Sequence, residues 1–266
     1  MIKTEKGSVN VNNVMTEYAK FGTGKKHFII IPGINLRNIL DSADSIASAY
    51  SMFAEDYTVW VFDRRVDMPE GYTVEDMAED IAAAIKSAGI ADAYFFGTSQ
   101  GGMIVQFIAA RYPELVRKAV LGSTAARLTD EVKARIEQWS ELARNNDLDT
   151  LCAEFADSVY SQSFLAKYRT LLIEYGKLAT PAEIVRFRIM SEACRGFDVY
   201  DELDKITCPI FVIGTNDDIV LGGTASVDIA EKLGCRLYMY DEYGHAVYDE
   251  ASDYKQRIMD FFNEAQ

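Results

Sequence analysis

Ser99 lies in Gly97-Thr98-Ser99-Gln100-Gly101-Gly102, directly after the apolar run Ala93-Tyr94-Phe95-Phe96 and directly before a helical pattern carrying Met103, Ile104, Phe107 and Ile108. Gly-x-Ser-x-Gly between a strand and a helix forces the serine onto a sharp, strained turn with its hydroxyl pushed out above the sheet. The glycines two residues to either side have no Cβ to collide across that turn. A serine hydroxyl is a poor nucleophile at neutral pH, so it needs a base within hydrogen-bond reach and a third group to orient the base. The chain has two histidines, His27 and His245. His27 opens an apolar run and so belongs at the far end of the sheet from Ser99. His245 follows the last strand pattern in the loop Glu242-Tyr243-Gly244-His245, at the same edge as Ser99. Position and elimination both select His245 as the base. For the acid, Asp217 and Asp218 both follow the apolar run Ile210-Phe211-Val212-Ile213. Asp241 is closer to His245 in sequence, but on the strand that leads into its loop, and is the weaker candidate.

The elements that must hold these residues are legible in the apolar pattern. Residues 8–22 alternate loosely around Asn12-Asn13, which predicts an edge hairpin. His27–Ile31, Tyr57–Phe62, Ala93–Phe96, Val116–Leu121 and Cys208–Gly214 are short, nearly continuous apolar runs, the signature of parallel strands covered on both faces. Arg236–Tyr240 adds a last strand. Between the strands, helical spacing predicts helices over 42–53, from Thr73 to about Ser87, after Ser99, over 223–233 and from Ser252 to Asn263. Thr73 with Asp76 forms a capping-box pattern. Asp63, at the end of a strand, is expected to hold its loop through hydrogen bonds. Residues 125–200 change character: four helical patterns follow one another with no strand between them, the last opening on Thr180-Pro181. The organisation expected is a core of residues 1–124 and 201–266 and a helical lid (cap) insertion over 125–200, covering the site and drying its access channel. The fold class is α/β, with a mostly parallel central sheet of about eight strands and helices on both faces.

Composition limits the partners. A chain of 266 residues suits one α/β domain with an insertion. The formal net charge of -14 disfavours nucleic acid and anionic membrane surfaces. No run is long enough to span a bilayer, and Met1–Gly7 lacks the apolar core of a signal peptide. A cytoplasmic address and a small-molecule substrate are expected; the oligomeric state is not legible. Cys152, Cys194, Cys208 and Cys235 show neither metal-ligand spacing nor a disulfide framework, so reduced, buried thiols are expected and no metal site.

Taken together, Pro32-Gly33-Ile34, Phe62-Asp63-Arg64, Thr73-Val74-Glu75-Asp76, Gly97 to Gly102, Gly214-Thr215-Asn216-Asp217 and Gly244-His245 occur in an order that resembles the α/β-hydrolase fold family. The likeness covers residues 8–262 and points to its lid-bearing esterase, lactonase and C–C hydrolase branch. The resemblance implies the triad Ser99, Asp217 and His245, because the family's Gly-x-x-Asp maps onto Gly214 to Asp217. It implies an oxyanion hole from the backbone amides of Ile34 and Gln100. It also implies hydrolysis of a small ester, thioester or lactone through an acyl-enzyme, without a cofactor. The alternatives are a C–C hydrolase, lyase or cofactor-free perhydrolase on the same residues, or a slow-turnover ligand receptor. Two departures stand out. Pro32-Gly33 replaces the family's frequent His-Gly, and Asp63-Arg64-Arg65-Val66-Asp67 lacks the glycines of Asp-x-Arg-Gly-x-Gly. A serine at position 99, in place of an aspartate, disfavours dehalogenase and epoxide hydrolase chemistry.

Overall fold

The structure is a computed structural model that describes residues 2–265; Met1 and Gln266, the outer ends of the expected core segments, lie outside them. Eight strands form one sheet: β1 (Glu5–Val11), β2 (Val14–Phe21), β3 (Lys26–Ile31), β4 (Tyr57–Arg65), β5 (Ala93–Thr98), β6 (Val116–Gly122), β7 (Ile210–Thr215) and β8 (Arg236–Tyr240). Their order across the sheet is β1-β2-β4-β3-β5-β6-β7-β8. β1 and β2 form an antiparallel hairpin, β2 runs antiparallel to β4, and every pairing from β4 to β8 is parallel. The hairpin turns at Asn12 and Asn13, both at positive φ, the backbone that a two-residue turn between right-twisted strands requires.

The apolar strands are buried on both faces by alternation. Ile29, Ile31, Phe95 and Val212 pack in one core layer, and Phe28, Ile30, Phe96, Phe211 and Ile213 in the other. The first layer is covered by α2 (Val74–Ser87), α3 (Gln100–Arg111) and α8 (Thr224–Leu233); the second by α1 (Ala43–Ala49) and α10 (Tyr254–Asn263). Between β6 and β7 the chain runs through α4 (Asp130–Arg144), α5 (Leu148–Val159), α6 (Gln162–Gly176) and α7 (Pro181–Ala193). A short α9 (Val247–Glu250) follows the His245 loop.

The capping box is present: Thr73 Oγ1 accepts from the Asp76 amide and Asp76 Oδ2 from the Thr73 amide, both at 3.0 Å. The continuous helix expected over 42–53 is instead α1 flanked by 3₁₀ turns at Ile39–Ser42 and Ser51–Phe53. Three residues per turn set Tyr50 and Phe53 on the same side, and both rings pack against Phe28, at centroid distances of 6.3 and 4.8 Å.

The strand order has one consequence for function. From β3 the chain moves to β4 on one side and then returns to β5 on the other. The loops leaving β3 and β5 therefore part in opposite directions, opening a crevice at the carboxyl ends of these two neighbouring strands. Pro32-Gly33-Ile34 and Ser99 are the residues that leave those ends.

Candidate active site

Ser99 joins β5 to α3 with φ 51° and ψ −123°, a backbone region that non-glycine residues rarely adopt. The surroundings hold it there. Its amide donates to the Gly122 carbonyl at 2.9 Å, and Thr124 Oγ1 donates to its carbonyl at 2.7 Å. A Cβ on Gly101 would stand 2.0 Å from the Ile31 carbonyl oxygen, and one on Gly97 2.5 Å from the Gly101 oxygen. The turn is therefore closed by backbone against backbone. A Cβ on Gly33 would come within 3.0 Å of Ser99 Cβ, so the loop after β3 passes directly beside the serine. Asn35 Nδ2 donates to the Gly33 carbonyl at 2.9 Å and pins that loop. Gln100 opens α3, where the first amides have no partner within the helix and the helix dipole favours negative charge.

His245 is buried, and its Nδ1 lies 2.8 Å from Asp218 Oδ2. The other oxygen of Asp218 accepts the amides of Val220 and Leu221 at 2.8 and 2.9 Å. A carboxylate can only accept, so the proton sits on Nδ1 and Nε2 is left as the basic nitrogen. The acid chosen from the motif, Asp217, is not the one beside His245. Asp217 is exposed and accepts the Glu242 amide at 2.6 Å. The reason is the turn after β7: the Asp218 amide donates back to the Thr215 carbonyl, which swings residue 218 inward and leaves 217 on the outer side. No local signal in the sequence separates the two aspartates: the apolar run Ile219-Val220-Leu221 follows both, and its first residue is exposed. Asp241, the weaker candidate, is exposed and accepts from Asn216 Nδ2 at 2.6 Å.

The His245 loop is packed tightly against the segment between β6 and β7. A Cβ on Gly244 would stand 2.6 Å from the Ser161 nitrogen, and the Ala246 amide donates to the Val159 carbonyl at 2.9 Å. Thr215 Oγ1 donates to the Tyr243 carbonyl at 2.8 Å, tying the same loop to the end of β7. Ser99, His245, Ile34 and Gln100 all line one cavity of about 170 Å³. Ile136, Trp139, Phe155 and Val159, from α4 and α5, supply much of its apolar wall. Among the described residues Ser99 and His245 share this wall without a direct hydrogen bond; such contacts commonly tighten only when substrate is bound.

Beneath the serine turn lies a buried polar link. Arg64 Nη2 donates to Gln100 Oε1 at 3.0 Å, and Gln100 Nε2 donates to the Met190 carbonyl at 2.6 Å. Burial pulls the fully enclosed Arg64 guanidinium below its usual range, and the neighbouring Asp63 opposes this. Asp63 holds its loop as expected, accepting the Arg64 amide at 2.8 Å and pairing with Arg186 at 2.9 Å. His27, at the start of β3, accepts from Trp60 Nε1 at 3.2 Å, and burial lowers its pKa. The four cysteines are free. Cys152 and Cys194 are buried as expected, whereas Cys208 and Cys235 are only partly so. Burial pushes each thiol up to about 11, so Cys194, in the cavity wall, is a poor nucleophile. Among the described residues no helix is long and apolar enough to cross a membrane.

An eight-stranded, mostly parallel sheet with a strained serine between strand and helix at its switch point defines a class, and comparison with known proteins agrees. The chain belongs to the α/β-hydrolase fold family, whose model matches residues 26–252. It is similar to the mouse (Mus musculus) serine hydrolase BPHL, at 25% identity over 96% of this chain and 84% of that protein. It is also similar to a Pantoea ananatis protein named as a candidate carbamate hydrolase, RutD, at 22% identity over 74% of this chain and 75% of the relative. In fold it resembles the crystal structure of the enol-lactonase from Burkholderia xenovorans LB400, with a TM-score of 0.84 and 20% identity over 97% of this chain and all of the other. The chain is a hydrolase by family.

Proposed function

We propose that this hydrolase cleaves small carboxylic esters, thioesters or lactones, with Ser99 as nucleophile, His245 as base and Asp218 as the group that orients it. The observation that carries the reading is the pairing of a buried His245 with Asp218 at 2.8 Å in the wall of the cavity that Ser99 also lines. Nε2 of His245 takes the Ser99 proton as Oγ attacks the carbonyl carbon. The backbone amides of Ile34 and Gln100 receive the oxyanion, each such donor typically contributing about 3 kcal/mol. His245 then gives the proton to the leaving group, and water repeats the two steps on the acyl-enzyme. The helices α4 to α7 act as a lid whose apolar side chains keep the acyl site dry. Relatives named for lactone and carbamate hydrolysis support the reading, since both reactions attack an acyl carbon.

The test is hydrolysis of p-nitrophenyl esters, from acetate to longer acyl chains, by wild type and Ser99→Ala. Turnover that disappears in Ser99→Ala supports the reading, and the chain-length optimum measures the acyl site. Wild-type turnover no greater than that of Ser99→Ala on every ester and lactone tried would sink it.

A further inference from the structure

Acyl transfer as proposed leaves one carboxylate of the cavity without a task. Asp249, in α9 and four residues beyond His245, lines the same cavity as Ser99. Asp249 is an exposed residue, and among the described residues its carboxylate has neither an ion-pair partner nor a side-chain hydrogen bond. Three tyrosines line the cavity with it: Tyr50, just after α1, Tyr160, just after α5, and Tyr248, its neighbour in α9. Burial raises all three phenols above their usual range, and the charge of Asp249 adds to the rise in each. The three rings come from three separate segments of the chain and meet the carboxylate in the lining of one cavity. Burial also lifts Asp249 itself to about 6, with Lys255 opposing and Glu250 reinforcing. Lys255 is the cation nearby, but its ammonium donates to the Tyr248 carbonyl and sits 5.7 Å from the Tyr50 ring centroid. Among the described residues it stays outside ion-pair distance of Asp249.

A carboxylate that lines a mostly apolar cavity and has no partner of its own is free to pair with a charged guest that enters there. Aromatic rings that line a cavity together with a carboxylate suit one kind of guest, an organic cation, because ring faces carry negative electrostatic potential. A formal net charge of -14 further draws cations towards the protein.

We propose that Asp249, with Tyr50, Tyr160 and Tyr248, forms a cation subsite of the active-site cavity, and that the substrate is an ester whose acyl or leaving group carries an ammonium. The subsite rests on the acyl-transfer reading for the identity of the bond cleaved, but not for the binding of the cation.

The experiment therefore has a binding arm and a turnover arm. In the first, calorimetry compares choline with its uncharged isostere 3,3-dimethylbutan-1-ol on wild type and Asp249→Asn at pH 8. Choline is expected to bind wild type about tenfold more tightly than the alcohol, and the ratio is expected to fall to near one in Asp249→Asn. Equal affinities in wild type, no detectable choline binding, or a preference that survives Asp249→Asn would overturn the subsite. In the second arm, kcat/KM is measured for acetylcholine against 3,3-dimethylbutyl acetate. A matched pair of p-nitrophenyl esters follows, one with a trimethylammonium group on the acyl chain and one with a tert-butyl group in its place. Hydrolysis of the neutral esters without a preference for either cation overturns the subsite and leaves acyl transfer standing. Choline binding that depends on Asp249, with no ester hydrolysed, supports the subsite and removes acyl transfer.

Discussion

His245 Nδ1 and Asp218 Oδ2 face each other at 2.8 Å in a place closed to water, while the neighbouring Asp217 is turned outward to the Glu242 amide. The two adjacent carboxylates thus meet the same loop at two different points, one at the imidazole and one at the backbone. Replacing Asp218 by Asn puts an amide where only an acceptor works and favours the wrong histidine tautomer. The expected loss is about 10³- to 10⁴-fold in kcat. Asp217→Asn keeps an acceptor oxygen for Glu242 and is expected to change kcat by less than about threefold. Stopped-flow or steady-state kinetics on a p-nitrophenyl ester compares the two directly. If Asp217→Asn proves the more damaging, the assignment is reversed.

That pair also marks where the sequence stops being informative. The sheet, its covered strands and the hairpin were all legible, because apolar runs and turn residues are local signals. The placement of Ser99 and His245 at one edge of the sheet, where both line one cavity, was legible because each follows a strand, and strands can be counted along the chain. The choice between Asp217 and Asp218 depends on one reversal of the backbone after Thr215, a three-dimensional property with no periodicity to announce it. The same holds for the Arg64–Gln100 bond at 3.0 Å, which joins residues 36 apart in sequence. Pattern reading also overran at 42–53, where packing of Tyr50 and Phe53 on Phe28 breaks the helix into tighter turns.

The glycines of the serine turn make a second prediction. In Gly101→Ala the new methyl would face the Ile31 oxygen at 2.0 Å and the Pro32 oxygen at 2.6 Å, backbone atoms at the end of β3 and at the start of the loop after it. Neither can rotate aside, so the cost is expected to reach about 3 kcal/mol, the upper end of ordinary overpacking. Gly196 is the control, since a Cβ there meets nothing within 4 Å and its φ is not in the left-handed region. Gly196→Ala is expected to be neutral or to stabilise by about 0.5 kcal/mol through the unfolded chain. Urea denaturation of the two variants against wild type measures both.

Strain at residue 99 is the third. With φ 51° and ψ −123° the serine occupies a conformation natural to glycine. Ser99→Gly releases strain worth about 1–3 kcal/mol and pays back part of it in chain entropy. The variant is expected to be inactive yet more stable than wild type by about 0.5–1 kcal/mol, whereas Ser99→Ala keeps the strained backbone and gains little. Thermal melts of the three proteins at one pH decide the matter. Equal stability of the Gly and Ala variants would mean that the strain released is no larger than the chain entropy that glycine costs.

The last prediction follows from Asp249, whose pKa is raised from 3.8 to about 6, mainly by burial. A folded-state pKa above the unfolded value means that the folded protein holds this proton more tightly. The resulting stability is fully present below about pH 4 and is lost as pH rises through about 6. Above that pH the protein carries an ionised group that the fold disfavours. Asp249→Asn removes the ionisation without changing the shape of the side chain. Because Asp249 keeps exposed surface, solvent screening reduces the effect, and the expected gain in Tm is about 1–2 °C at pH 8. Below pH 4 the variant and wild type should melt together. Any cation preference follows the same titration in the opposite sense, since only the ionised carboxylate attracts an ammonium. Choline affinity should therefore fall between pH 8 and pH 5 in wild type and stay flat in Asp249→Asn. Melting curves and calorimetry over that range test one group by two independent readouts. A Tm difference that persists at pH 4 would assign the effect to packing and not to charge.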